Sequence, residues 1–456
     1  MTSFLFSKLE KSKKNWNYRE GLIKINSWTM LRKLLNRLFM TSGNKVIVIA
    51  GTTGVGKSQL SIELASRFNG EVINSDSMQV YKKIPIITNK HPLEERNRIS
   101  HHVMNHVDWT EEYYLHRFEK ECFAAIDDIH SRGKTPIIVG GTHYYLQVLL
   151  NKHMTSEKRA LTDEQKNILF SNNPEMVYKT LKDHDPVIAS KFHPNDTRRV
   201  QRMLEIYYET GKRPSELYSK QSTQLRYDTL FLWLHSDYQP LESRLDERVD
   251  NMLGSGGLEE IEELYRFYKD NKYSLTQCEN GVWQVIGFKE FLPWLEKEQN
   301  ITLEQCTERM KIRTRQYAKK QVKWIKKMLV PDVKGNIYML DASDLTQWNL
   351  LVADRAKKIT EEFIHDREMT YDFAPERLKT LLVSRDIPVR KPDDWKQFSC
   401  SICLDQKGKN LIIIGEKNWN IHLRSKRHKS NLTKGLRKLQ FEKWKADQRE
   451  KHVICD

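Results

Sequence analysis

The sequence predicts an α/β protein: a parallel-sheet core like that of P-loop nucleotide-binding proteins, a helical insertion, and a small C-terminal zinc finger of ββα form. Three observations carry this. Between residues 46 and 150 short apolar runs alternate with helical patterns, the rhythm of strand–helix–strand units covered on both faces. The run VIVIA at 46–50 leads straight into GTTGVGKS at 51–58, a glycine-rich loop between a strand and a helix. The stretch 151–224 is polar and helical in pattern, and strand character returns with TLFLWLH at 229–235.

In chain order, residues 1–44 read as a basic targeting segment. Residues 30–40, MLRKLLNRLFM, are basic, free of acid and amphipathic at helical period, the character of a mitochondrial transit peptide. Met30 and Met40 are alternative starts, so two compartments are expected to share the chain. Residues 45–150 form the first part of the catalytic core. Its strands are 46–50, 71–73 and 136–139, and its helices are 58–68, with apolar Leu60, Ile62, Leu64, Ala65 and Phe68, and 118–129. The helical insertion is 151–224. The second part of the core, 225–344, is helical from 241 to 330. Residues 345–390 are irregular and charged and read as a linker. Residues 391–456 hold a cysteine-containing module and a basic tail.

Charge sits at the ends. The formal net charge of +16 divides into +8 for residues 1–45, +8 for 391–456 and a neutral middle, which points to polyanions or to targeting. Six cysteines, four of them widely scattered, give no disulfide framework, so a reducing compartment is expected. No apolar run approaches the ~20 residues of a membrane span.

Gly51, Thr52, Thr53, Gly54, Val55, Gly56, Lys57 and Ser58 match G-x-x-x-x-G-K-[ST]. Its glycines let backbone N–H groups converge on phosphate oxygens, Lys57 adds a point charge and the Ser58 hydroxyl can hold Mg²⁺. The loop implies a di- or triphosphate, not ATP as such. Hydrolysing members also need an acid at the end of another strand, and the strand at 136–139 runs into Gly140-Gly141-Thr142 with none. The acid follows the second strand instead, in Asn74-Ser75-Asp76-Ser77-Met78-Gln79. Strand ends line the ligand crevice of such sheets, so Asp76 is either a general base beside a phosphorylated ligand or a turn residue bonding its own backbone.

With these residues, the segments VIVIAGTTGVGKSQLSIELA, EVINSDSMQVYKKIPIITNK, PIIVGGTHYYLQVLL, HPNDTRRVQRMLEIYYETGKRPSE, QVIGFKEF and RTRQYAKKQVKWIKK resemble the tRNA dimethylallyltransferase (tRNA isopentenyltransferase) family, in its eukaryotic, fungal-type form, over residues 45–330. The resemblance implies transfer of the dimethylallyl group of dimethylallyl diphosphate to the exocyclic amine of the adenosine 3′ of the anticodon, with release of diphosphate. It implies Asp76 as proton acceptor, Arg248 as a second cation on the diphosphate, and Thr142 along the reaction channel. For Arg248, spacing alone favours an ion pair with Asp246 or Glu247. The resemblance also places Ser77, Gln79, Arg198, Arg199, Gln201 and Arg202 on the tRNA; for the arginines a solvated helix face is the alternative. A monomer is expected.

Residues 309–328 carry nine Lys/Arg and no acid. Arg315, Lys319, Lys323 and Lys326 recur at near-helical spacing on the face expected to meet tRNA phosphates, Gln316 is also expected on the tRNA, and Ala318, Val322, Ile325 and Leu329 form the packing stripe. Tyr317 and Trp324 are expected to pack, and the pair His101-His102 to be structural. Cys400, Cys403, His422 and His428 form a Cys₂His₂ set expected to hold structural Zn²⁺, with a five-residue histidine spacing similar to the matrin- and U1-type fingers of RNA-binding proteins. A hairpin over 404–414 and one helix through both histidines are expected. The run 423–438 has seven Lys/Arg and no acid, suited to RNA backbone and to nuclear import. Cytoplasm, mitochondrion and nucleus are the expected locations. Two other functions fit part of the pattern: a small-molecule or nucleoside kinase with Asp76 as base, and a non-catalytic RNA-binding protein whose loop senses nucleotide.

Overall fold

A computed structural model describes residues 45–150, 159–171, 173–219, 224–382, 395–405, 408–434 and 440. The targeting segment, the stretch 151–158 of the insertion, the end of the basic tail and Cys455 lie outside the described residues. The chain divides into two compact units, Met1–Asn151 with Thr223–Ser384, and Lys152–Ser222 with Arg385–Asp456.

The first unit begins with β1 (Lys45–Gly51), whose residues are buried beyond Lys45. Then come α1 (Lys57–Arg67), β2 (Gly70–Asn74), a two-residue edge strand β3 (His101–His102), α2 (Leu115–Ser131) and β4 (Thr135–Val139). In the second unit lie α3 (Asp163–Leu169), α4 (Pro174–His184), α5 (Pro186–Ser190), α6 (Thr197–Thr210) and α7 (Pro214–Ser219). The chain returns to the first unit with β5 (Asp228–His235), α8 (Tyr238–Met252), α9 (Leu258–Asp270), α10 (Phe288–Leu295), α11 (Leu303–Trp324), β6 (Tyr338–Asp341) and α12 (Asp354–Ile364).

The six strands form one parallel sheet in the order β3-β2-β4-β1-β5-β6. Side chains alternate across it. Val46, Val48, Ile138, Phe231 and Trp233 join Phe118 and Ile126 of α2 on one face. Ile47, Ile49, Ile137, Leu230 and Leu232 join Leu60 and Leu64 of α1 on the other. Both faces are therefore apolar, as a buried parallel sheet requires. His102 of β3 hydrogen-bonds the buried Glu71 carboxylate at 2.7 Å, the structural part expected of the histidine pair.

Of residues 345–390, expected as a linker, 383–390 lie outside the described residues and 345–382 are instead part of this core. Trp348, Val352, Ala353, Ala356 and Ile359 complete the α1 face, and Ala374 and Leu378 close the other. The charges that made the segment look like a spacer lie between these apolar positions; Arg377 pairs with Asp341 at the end of β6.

In the second unit, α3 to α6 pack around Leu169, Val177, Leu181, Ile188, Val200 and Leu204. Asp185 caps α5 by accepting from Ile188 N at 3.0 Å, and also accepts from Ser215 N at 2.8 Å. The C-terminal module is an antiparallel pair, β7 (Gln397–Leu404) and β8 (Asn410–Ile414), followed by α13 (Glu416–Arg424). It is seated on the insertion: Gln397 Nε2 donates to Tyr178 Oη at 2.8 Å and to Phe192 O at 3.0 Å, and Lys409 pairs with Glu175. The single helix expected through both histidines is broken. Ser425 is extended, with φ −67° and ψ 148°, and its hydroxyl accepts from His428 N at 3.2 Å. Six residues apart on one continuous helix, His422 and His428 would point to different sides; the break turns them together.

Candidate active site

The loop joins β1 to α1 as the motif requires. Thr53 N donates to Gln321 Oε1 at 2.8 Å, and Gln321 Nε2 donates to Gly141 O at 2.9 Å. A buried glutamine of α11 thus ties the loop to the end of β4. His143 Nε2 lies 3.2 Å from Gly51 N and 3.0 Å from Gly51 O, and its ring stacks on Trp324 at 5.8 Å. Neither Gln321 nor His143 carries a local sequence signal for this role. Lys57 Nζ donates to Thr52 O at 2.6 Å, and burial pulls its ammonium down to about 8, against the pull of Asp76. Buried Thr52 Oγ1 and Arg248 Nε have no hydrogen-bond partner. Buried polar groups are normally paired, and Arg248 carries its unpaired nitrogen at the edge of the loop cavity.

Asp76 stands just beyond β2. Asn74 Oδ1 accepts from Asp76 N at 3.0 Å, and Met78 N donates to Asp76 Oδ1 at 2.9 Å. The turn geometry expected of the structural alternative is present, and it aims the carboxylate into the cleft. Burial raises the Asp76 carboxyl above its ordinary range, while backbone N–H groups and Lys57 hold it down. The other oxygen approaches Gly141, where an added Cβ would lie 3.0 Å from Asp76 Oδ2 and 2.6 Å from Gln321 Nε2. The ends of β2 and β4 themselves meet at Gly140, where an added Cβ would lie 2.3 Å from Ser75 C, so only glycine lets them come this close.

Two cavities meet here. One, about 430 Å³, covers the phosphate loop; the other, about 230 Å³, has a largely apolar wall that includes Met78, Ile87, Val249, Met252 and Met310. Thr53, Asp76, Thr88, Asn89 and Arg248 line both. Arg248 reaches in from α8, its Nη2 donating to Thr53 Oγ1 at 2.6 Å, and burial lowers its guanidinium to about 10. The competing ion pair with Asp246 or Glu247 does not form: two and one residues away on α8, neither faces Arg248, and Asp246 pairs with Arg315. The wall segment 86–90 is held from outside. Glu260 accepts from Ile86 N and Ile87 N, each at 2.9 Å, buried Lys90 donates to Tyr81 O, Lys83 O and Asn105 Oδ1, and Gln79 Nε2 donates to Thr88 O and Asn89 O.

Several expected residues are placed otherwise. Thr142 lines neither cavity. Its hydroxyl accepts from Ser77 N at 3.0 Å and donates to Ser77 Oγ at 3.1 Å, so it positions Ser77, which does line the apolar cavity. Arg315 is enclosed by Asp246, Glu308 and Glu242 and is an internal ion-pair centre. The face of α11 that lines the cavity carries Arg313, Tyr317 and Lys320, one register away from the expected stripe. Tyr317, expected to pack, donates to Gly141 O at 3.3 Å beside Asp76. Gln316, Lys319 and Lys323 are exposed, with Lys319 over the Tyr238 ring at 4.2 Å. In the insertion Arg198 is exposed, Arg199 pairs with Asp196, Arg202 with Glu205 and Glu209, and Gln201 Nε2 donates to Leu169 O at 2.8 Å.

In the second unit, one donor atom from each of Cys400, Cys403, His422 and His428 lies within 4.8 Å of the others. His428 Nδ1 is 3.5 Å from Cys400 Sγ, 3.7 Å from Cys403 Sγ and 3.1 Å from His422 Nε2. These separations are close to the edges of a tetrahedron with metal bonds of about 2.0–2.3 Å, so the set can hold one metal ion. No helix among the described residues is long and apolar enough to cross a membrane.

A family profile described as IPP transferase matches residues 79–328. The chain is 61% identical over 416 residues to the tRNA dimethylallyltransferase of Saccharomyces cerevisiae, covering 90% of this chain and 97% of that one. It is 34% identical over 421 residues to the human tRNA dimethylallyltransferase, 86% of each chain. A solved eukaryotic dimethylallyltransferase acting on tRNA superimposes with a TM-score of 0.82 at 62% identity, over 88% of this chain and 100% of that one.

Proposed function

The chain belongs to the IPP transferase family, and from that premise we propose how its residues carry out dimethylallyl transfer to tRNA. It moves the dimethylallyl group of dimethylallyl diphosphate to the exocyclic amine of the adenosine 3′-adjacent to the anticodon and releases diphosphate. The observation that carries the residue assignment is the junction of the two cavities: a half-buried carboxylate, a half-buried guanidinium and the phosphate loop meet at the opening to a second cavity with an apolar patch of Met78, Ile87, Val249, Met252 and Met310.

The diphosphate lies on the loop amides, Lys57 and Arg248, where the unpartnered Arg248 Nε finds an acceptor. The dimethylallyl carbons point past Thr53 toward Asp76. The adenine leaves the anticodon-loop stack, at a cost of a few kcal/mol, and enters the apolar cavity. Its amine is a poor nucleophile because the lone pair feeds the ring. As nitrogen bonds to the allylic carbon, the carbon–oxygen bond breaks toward the diphosphate and the amine proton passes to Asp76. A carboxyl raised by burial suits that task. The charge gathering on the leaving diphosphate is met by Lys57, Arg248 and the loop N–H groups. Ser58, facing the loop cavity, would hold Mg²⁺ with the diphosphate oxygens; the ion supplies further neutralisation of the leaving group.

The tRNA backbone is met by Arg313, Lys319, Lys320 and Lys323 of α11 and by Arg198 of the insertion. Cys400, Cys403, His422 and His428 hold one structural Zn²⁺, and exposed Arg424, Lys426, Lys429 and Lys434 add phosphate contacts. The protein works as a monomer, shared between cytoplasm, mitochondrion and nucleus.

Purified protein with Mg²⁺, dimethylallyl diphosphate and an anticodon stem-loop should add one C₅H₈ unit to that adenosine without ATP. An absolute requirement for ATP hydrolysis would favour the kinase reading instead.

A further inference from the structure

We propose that Trp348 makes the phosphate loop selective against nucleoside phosphates by closing the side of the loop on which a nucleoside would project. This rests on the reading of the loop as a prenyl diphosphate site. The indole lies along the first turn of α1. At one end, an added Cβ on Gly56 would lie 2.6 Å from Trp348 Cη2 and 2.7 Å from Cζ3. Gly56 also has φ +89°, so this position needs glycine both for its backbone and for the ring against it. At the other end, Trp348 Nε1 donates to Glu63 Oε1 at 2.9 Å, the oxygen that also accepts from Gln59 Nε2 at 3.3 Å. Lys357 holds the second Glu63 oxygen at 3.1 Å. Trp348 is buried in the apolar cluster that includes Val55, Leu60, Leu64, Val352 and Ala353, so it is a fixed wall.

A phosphate loop holds a run of phosphates along its amides, and its lysine reaches the outer ones. A prenyl diphosphate has one organic end. That end belongs at the junction of Thr53, Asp76 and Arg248, leaving the other phosphate bare. Gln59, Leu345 and Trp348 line only the loop cavity, away from that junction. A nucleotide seated by its outer phosphates would have to carry its ribose and base out past Gln59, through the space the indole fills. Selectivity by a built clash adds to selectivity by contact, and it turns a common nucleotide motif into a site for a ligand with a single organic end.

The test is equilibrium binding of inorganic pyrophosphate, dimethylallyl diphosphate and ADP, each with Mg²⁺, to the full-length protein and to Trp348→Ala and Trp348→Leu. The parent should bind ADP at least about tenfold more weakly than pyrophosphate. In the variants the ratio of ADP to pyrophosphate affinity should rise by about tenfold or more. Pyrophosphate is the internal reference, since general damage to the loop weakens both ligands together. Trp348→Leu keeps apolar bulk in the core and is the variant to read where Trp348→Ala does not fold. Parent protein that binds ADP as tightly as pyrophosphate overturns the proposal, as does an unchanged ratio in a folded variant. Failure of pyrophosphate and dimethylallyl diphosphate alike to bind the parent would instead remove the reading of the loop itself.

Discussion

The phosphate site of the first unit and the Cys–His cluster of the second are built in opposite ways. Asp76, Lys57 and Arg248 are half-buried polar groups standing on a sheet whose two faces are already packed. Their burial shifts each of them against its charge, which the large core tolerates. Around Cys400 and Cys403 there is little core: α13 buries none of its residues and β8 is only half-buried. In the first region the fold organises the site. In the second, so small a module has few apolar side chains of its own, and a metal on the four ligand atoms is expected to supply what the core does not.

The largest expected effect breaks function in the first region without touching its fold. Asp76→Asn should lower kcat by about 10²–10⁴. Because burial raises this carboxyl, keeping it ionised costs the folded state stability, so the neutral amide should leave the unfolding temperature unchanged or slightly higher. A variant that loses activity and thermal stability together would make Asp76 a structural residue.

The matching change in the second region should do the reverse, losing local structure first. Cys403→Ser, or chelation of the metal, should unfold the finger and raise the KM for tRNA by about tenfold while leaving that for dimethylallyl diphosphate in place. The logarithmic salt dependence of tRNA binding should flatten by ~0.9 per lost duplex phosphate contact. Unchanged tRNA affinity and slope in zinc-free protein would assign the finger to another partner.

The smallest effect is a pH dependence confined to the first region. Lys57 is lowered to about 8, so its ammonium is intact below that pH and is lost as pH rises through it. Pyrophosphate affinity should therefore be level below pH 8 and fall above it, by no more than about tenfold per unit for one linked proton. Lys57→Arg keeps its charge and should abolish the fall, whatever it does to affinity overall. A fall of equal slope in Lys57→Arg would trace it to another group.

Much of this molecule was legible in the chain because its signals are local. Apolar alternation set out β1, β2, β4 and β5; glycines and Lys57 marked the loop; Asp76 stood at a strand end; two cysteines and two histidines named their own cluster. The segment 345–382 was misread because its apolar residues are spaced among charges, and only packing against α1 shows which face they serve. What tertiary structure alone decided are the meetings between residues far apart in sequence: Gln321 under Thr53, Glu260 and Lys90 behind the cavity wall, Trp348 over Gly56, Arg315 on Asp246 and Arg248 on Thr53. Periodicity and turn chemistry are properties of a few neighbouring residues, so a sequence displays them directly. Which charge pairs with which, and which ring covers a glycine, depends on where the fold brings distant side chains together.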